Sequence, residues 1–342
     1  MLRNKDFSSP FLAVAATAGA VAAASMFFVG YRRDRDSSTM SNRRSAALPK
    51  IPWELLNSPY AKELQLAARL AYQAGANMKG YLDAKGTSRE SNFDLGIETK
   101  SNDTDFCTKI DVENERLIME GIQTAFPSHD IIGEETVGTG SLPALKKDTP
   151  TWIIDPIDGT TNFSQGLFMT CISIGYCVGG KPVMGVVYAP ATEEWYLGVS
   201  GHGAFRNGVQ IKQSNPKTSL ERAVVCCEFG YSREQHEIDA MLAAVSRILQ
   251  HGCRAIRQLG SGVLDLCYVA TGRIDVVYSG IVNEGWKPWD YAAGLVICQE
   301  AGCVMEAIQQ APGQTFDLYG KSILCGVSRE VVDDMRKVLL AR

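Results

Sequence analysis

The sequence offers little that would suit nucleic acid, zinc or a nucleotide phosphate loop. It has no basic excess: 34 lysines and arginines face 38 aspartates and glutamates, for a formal charge of −4. That balance provides no general attraction for a phosphate backbone, so no nucleic-acid partner is expected. There is no CxxC pair, and the four histidines are scattered, so a zinc cluster is not expected. No Walker-type GxxxxGK follows Gly260-Ser261-Gly262, which reads instead as a helix entry or as part of a substrate pocket. Internal repeats and heptads are also absent, which excludes solenoids and coiled coils. His251 and Cys253 lack the orienting third group a catalytic pair needs.

What is present is ordinary globular material, with 45% apolar and 21% charged residues over 342 positions. Ten cysteines occur, but Cys171, Cys177, Cys267 and Cys298 sit in apolar runs, and Cys226 and Cys227 are adjacent. These read as small buried hydrophobes in a reducing compartment. Phe11 to Gly30 carries no charge. As a helix it would span about 30 Å, enough for a hydrocarbon core. Arg3 and Lys5 flank it on one side, and Arg32, Arg33 and Arg35 on the other. The expectation is a membrane anchor with a cytoplasmic catalytic domain, or an organelle-targeting leader. A basic, serine-rich linker completes residues 1–50.

Helical spacing of apolar residues predicts a helix from Trp53 to about Ala84 and another over Asp111–Ala125. Ile131–Ile132 and Thr151–Ile154 read as short strands, each delivering acids. Thr170–Val178, Val183–Tyr188 and Trp195–Val199 read as hairpin-rich antiparallel sheet. Beyond a boundary near residue 215, strands and helices alternate, which favours a layered α/β part.

The strongest local feature is the strand Trp152–Ile154 running into Asp155-Pro156-Ile157-Asp158-Gly159. Proline restricts this turn, glycine permits close approach, and a strand end is a rigid mount for ligands. Carboxylate oxygens suit magnesium. Glu134 and Glu135 follow another short strand, and Asp290 opens a helix after Pro288 and Trp289. Taken singly, these acids also read as turn formers, a solvated pair and a helix cap. Lys287 reads as solvent-facing, and Trp286 and Trp289 as packing residues.

The ordered set resembles the inositol monophosphatase family from about Trp53 to the C-terminus. Trp152–Phe163 (WIIDPIDGTTNF) and Trp289–Gly294 (WDYAAG) look like its two signatures. Gly133-Glu134-Glu135, Ser173-Ile174-Gly175 and Gly203-Ala204-Phe205 match in order. The resemblance implies a layered α/β/α/β/α sandwich of the metal-dependent sugar-phosphatase type. Its N-terminal α+β half would span 51–215 and its C-terminal α/β half 216–342. It implies that Glu134, Asp155 and the Ile157 carbonyl bind one Mg2+, with Asp155, Asp158 and Asp290 binding a second. A third, weaker ion would reach Glu134 through water. Gly159 and Thr160 would bind phosphate, and the Thr160 hydroxyl would orient water. Glu284 and Asp290 would hold substrate hydroxyls, while Lys100, Asp111 and Glu135 would support the metal site; exposed lysine is the alternative for Lys100.

The implied reaction is hydrolysis of myo-inositol monophosphate by a lithium-sensitive homodimer acting on a small phosphate monoester. Another sugar or polyol phosphate, such as L-galactose 1-phosphate, is the alternative substrate. A non-catalytic, membrane-attached interaction protein is the alternative from a different class.

Overall fold

The computed structural model describes residues 48–102, 105–212, 219–283, 285–311 and 314–341, with side chains 101 and 102 excepted. The uncharged leader, most of the basic linker and Glu284 lie outside the described residues. Residues Ala46–Arg342 belong to one compact unit.

The chain opens with α1 (Trp53–Leu56) and α2 (Ala61–Ala84), where a single helix was expected. Pro59 lies in the break, and proline disfavours helical backbone at the residue before it. A hairpin follows, β1 (Glu98–Asn102) and β2 (Asp105–Cys107), then α3 (Lys109–Ala125). Next come β3 (Asp130–Gly133), the one-turn α4 (Glu134–Val137), β4 (Thr151–Asp158) and the short α5 (Thr160–Gln165). The antiparallel meander is β5 (Cys171–Val178), β6 (Lys181–Ala189), β7 (Glu194–Val199), β8 (Gly203–Arg206) and β9 (Val209–Ile211). The remainder runs β10 (Val224–Glu228), α6 (Gln235–His251), β11 (Ala255–Arg257), α7 (Gly262–Ala270) and β12 (Val276–Ser279). It closes with α8 (Pro288–Ala301), β13 (Val304–Glu306), β14 (Ile323–Gly326) and α9 (Arg329–Leu340).

Two sheets organise these elements. The larger has the order β3-β4-β5-β6-β7-β8-β9, with β3 and β4 parallel and the rest antiparallel. The smaller has the order β11-β10-β12-β14-β13, parallel across β11, β10 and β12. Helices α2 and α3 cover one face of the larger sheet, and α8 lies on its other face. Helix α7 bridges toward β12 and β14, and α9 packs on β14 and α6. The layers are therefore α/β/α/β/α, as the resemblance implied.

Glycine sets how closely α8 approaches. A Cβ at Gly175 would lie 2.6 Å from Ala292 Cβ, and one at Gly185 would lie 2.8 Å from Ala293 Cα. At Gly198 it would meet the Ile297 backbone at 3.2 Å. The side chains missing from β5, β6 and β7 form the groove in which the helix sits.

The expectations of a transmembrane helix, membrane attachment and membrane localisation are corrected here. Among the described residues, no helix is long and apolar enough to cross a membrane. Helix α2 has the length, at 24 residues, but carries Lys62, Glu63, Arg69, Lys79 and Asp83. Residues 11–30 themselves lie outside the described part.

On the opposite flank, Glu306 is buried between Arg329, 2.7 Å away, and Arg336. Burial pushes its carboxyl up, but the two guanidiniums outweigh this and hold it at about 2. An unfolded glutamate titrates near ~4.3, so this ion pair stabilises above that pH and is lost as pH falls toward 2.

Two outcomes are expected. Gly185→Val should destabilise the fold by about 2–3 kcal/mol in urea titrations through forced displacement of α8. Glu306→Gln should cost about 2–3 kcal/mol near neutral pH and flatten the loss of stability between pH 4.5 and 2. An unchanged acid limb would refute the second.

Candidate active site

Strand β4 does not end at Ile154 as expected; it runs on through Asp155 and Pro156 to Asp158, buried along its length. In a regular strand, residues three apart point to opposite faces. Here Asp155 pairs with Ser173 and Asp158 with Cys171, so three steps on β4 match two on β5. The extra residue is a bulge that returns both carboxylates to one face. Within it, the Ile157 N–H donates to Asp155 Oδ1 at 3.0 Å.

Gly159 then turns the chain with φ +82°, and α5 begins at Thr160. A Cβ at Gly159 would lie 2.9 Å from the Met169 carbonyl oxygen and 3.0 Å from that of Gly260. Both the dihedral and the space require glycine. The neighbouring turn holds Asp158: Ser261 donates its hydroxyl to Asp158 Oδ2, and the Val263 N–H donates to the same oxygen at 3.0 Å. Ser261 is thus more than a helix entry; it is buried and clamps a site carboxylate.

Glu134 and Glu135 open α4 at the end of β3. Lys100, on β1, reaches both, with Nζ 2.8 Å from Glu134 Oε1 and 2.8 Å from Glu135 Oε1. Burial works against the lysine charge, but the two glutamates more than offset it and hold its pKa above the usual value. Lys100 is therefore no free surface cation. Burial and the Glu134 charge push Glu135 up to about 8. The backbone here is pinned by Glu115, which accepts from the N–H groups of Glu135 and Thr136 at 2.7 Å each.

Glu115 escaped the sequence reading. Its signal was available: Asp111, Glu115, Ile118 and Ile122 share one buried helical stripe, where two acids are out of place. Asp111 caps α3 through Thr108, whose N–H donates to Asp111 Oδ2 at 2.9 Å. The Thr160 hydroxyl lies 3.2 Å from Asp111 Oδ1 and 3.1 Å from the Ile157 carbonyl oxygen. Burial raises the Asp111 carboxyl to about 6 despite its bonds to Thr108.

Asp290 arrives from the N-terminal turn of α8, where its Oδ2 accepts the Lys287 N–H at 2.6 Å. Ligand-capable oxygens of Asp155, Asp158 and Asp290 all lie within 4.8 Å of one another. Burial, followed by repulsion from Glu134, Asp158 and Asp290, drives the Asp155 pKa well above its ordinary value. Asp290 is raised well above its own by burial and the charges of Asp158 and Glu134. Asp158 is held to about 6, because Ser261 and Val263 oppose the effect of burial.

Buried acids that repel one another fit a divalent cation, and an all-oxygen donor set fits a hard one. Asp158 and Asp290 line a cleft of about 710 Å³ whose walls also include Lys100, Glu134, Thr160, Tyr231 and Trp286. Lys287, expected to face solvent, is exposed and also lines this cleft.

Comparison with known proteins agrees with this geometry. The model of the inositol monophosphatase family matches residues 61–337. Inositol monophosphatase 2 of Solanum lycopersicum is 40% identical over 219 residues, 64% of this chain and 80% of that protein. Inositol monophosphatase 3 of the same plant is 36% identical over 268 residues, 78% of this chain and 92% of that protein. A solved IMPase from Thermotoga maritima superposes with a TM-score of 0.66 at 31% identity, covering 81% of this chain and 96% of its own. With the family model spanning nearly all of the described fold, the chain belongs to the inositol monophosphatase family.

Proposed function

We propose that this chain hydrolyses myo-inositol monophosphate to myo-inositol and inorganic phosphate, with magnesium as cofactor. The observation that carries this reading is the convergence of Asp155, Asp158 and Asp290, from segments more than a hundred residues apart, within 4.8 Å. In this reading Glu134, Asp155 and the Ile157 carbonyl hold one ion, while Asp155, Asp158 and Asp290 hold another. Bound magnesium supplies Lewis-acid activation of water and charge stabilisation at the phosphate and the departing oxygen.

The chain's own groups then divide the remaining work. The Gly159 and Thr160 N–H groups, at the start of α5, donate to phosphate oxygens. The Thr160 hydroxyl donates its hydrogen bond to Asp111 Oδ1 or to the Ile157 carbonyl, leaving its oxygen lone pairs to accept from the attacking water. Water oxygen bonds to phosphorus as the phosphorus–alcohol bond breaks, and the water proton ends on the released alcohol. Lys100 moderates the repulsion between Glu134 and Glu135 and keeps both on one side of the cleft. Asp290, together with Glu284, which lies outside the described residues, receives substrate hydroxyls.

Asp155→Asn should cut magnesium-dependent phosphate release by about 100-fold or more while circular dichroism stays native. Absence of turnover on inositol monophosphate by folded, magnesium-loaded protein would overturn the assignment. Faster turnover on L-galactose 1-phosphate would reassign the alcohol. Chelation should lower Tm, and magnesium at 100-fold over its Kd should restore about 3 kcal/mol of stability. Asp290→Asn should lose most of that restoration.

A further inference from the structure

A second group of potential ligands lies behind the cleft wall. Cys226 and Glu228 are two residues apart on β10, so their side chains share a face of the strand. Asp265, on the first turns of α7, points its carboxylate at them. The Cys226 Sγ and one carboxylate oxygen each from Glu228 and Asp265 lie within 4.8 Å of one another. None of the three belongs to the Asp155–Asp158–Asp290 group.

Asp265 supplies the independent sign that something is held here. Its side chain is fully buried, and neither carboxylate oxygen has a hydrogen-bond partner. The groups acting on it are acids and a thiol, with Glu228 and Asp158 both opposing its charge. A buried carboxyl left unmet forfeits the hydrogen bonds it would make in water. The Glu228 carboxyl and the Cys226 thiol stand close enough to share a proton with Asp265, but one shared proton would meet one of its oxygens and leave the other unmet. A cation between the three side chains would answer the charge and occupy the oxygens together.

We propose that Cys226, Glu228 and Asp265 form a second cation site, specific for a zinc-class divalent ion rather than magnesium. One sulfur with two carboxylates selects a borderline-soft ion, whereas magnesium takes oxygen alone. Binding replaces the Cys226 thiol proton by a metal–sulfur bond and releases that proton to solvent. Entry is from the catalytic cleft, since Glu228 lines it.

The two sites share a support. Glu228 Oε1 accepts the N–H groups of Leu259 and Gly260 at 2.7 and 2.9 Å, and the same turn continues to Ser261 and Val263, which hold Asp158. An ion on Glu228 therefore acts on the turn that positions a catalytic-site acid.

The test is a cobalt titration of full-length protein already saturated with magnesium. A sulfur-to-cobalt charge-transfer band should grow to one equivalent and be displaced by zinc. Cys226→Ser should abolish the band, Asp265→Asn should weaken cobalt binding at least tenfold, and Cys171→Ser should leave both unchanged. No band in folded wild-type protein, or a band retained in both Cys226→Ser and Asp265→Asn, would overturn the site. Should either variant fail to fold, wild-type protein in mild urea decides. Zinc should slow alkylation of Cys226 at least tenfold by peptide mass mapping, and equal rates with and without zinc would overturn the site.

Discussion

The active site depends on how closely one helix lies against one sheet. Asp290 belongs to the first turn of α8, while Asp155 and Asp158 belong to β4, at the far end of the same sheet face. The three carboxylates meet because α8 rests in the groove left by Gly175, Gly185 and Gly198 on β5, β6 and β7. Any side chain at Gly185 would push on the backbone of Ala293, three residues from Asp290. Ser173 reinforces the seat, its hydroxyl donating to the Trp289 carbonyl at 3.3 Å. Packing density between helix and sheet thus becomes a distance between acids at the cleft.

That distance has an electrostatic cost, which explains why the surroundings are rigid. Carboxylates this close in a buried site repel strongly and would spread apart on a soft frame. Each is instead tied to a different element: Asp155 to its own bulge, Asp158 to the turn before α7, and Asp290 to the helix start. Lys100 engages the glutamates at this acidic edge rather than the three aspartates, while the Lys287 side chain, on the cleft wall, acts on Asp290 by its charge alone. The aspartates are left as the charge that an incoming ion meets.

Much of this was legible in the sequence, because its strongest signals are local. An apolar strand ending in acids, a glycine after the second aspartate, and an acid after Pro-Trp each report their own backbone. What stayed hidden was the consequence of irregularity. The bulge that brings Asp155 and Asp158 to one face leaves no periodic trace, and Pro156 argued for ending the strand early. The β1–β2 hairpin carrying Lys100 is charged and polar, with none of the alternation that marks a half-buried strand. The Asp290 encounter with β4 spans 132 positions from Asp158, and only tertiary packing reports it.

The hydrogen bonds also explain why these three aspartates, among many acids, suit an ion. Asp155 uses Oδ1 for the Ile157 N–H, Asp158 uses Oδ2 for Ser261 and Val263, and Asp290 uses Oδ2 for the Lys287 N–H. In each case a hydrogen bond to one oxygen fixes the plane of the carboxylate, and in the proposed reading the other oxygen is the one offered to the ion. Asp111 differs: its Oδ2 accepts from Thr108 and its Oδ1 is within reach of the Thr160 hydroxyl. Both of its oxygens are engaged by the chain, which suits holding Thr108 and Thr160 in place better than metal ligation. Proximity alone would group all these acids together; the direction of their hydrogen bonds sets Asp111 apart from the three aspartates.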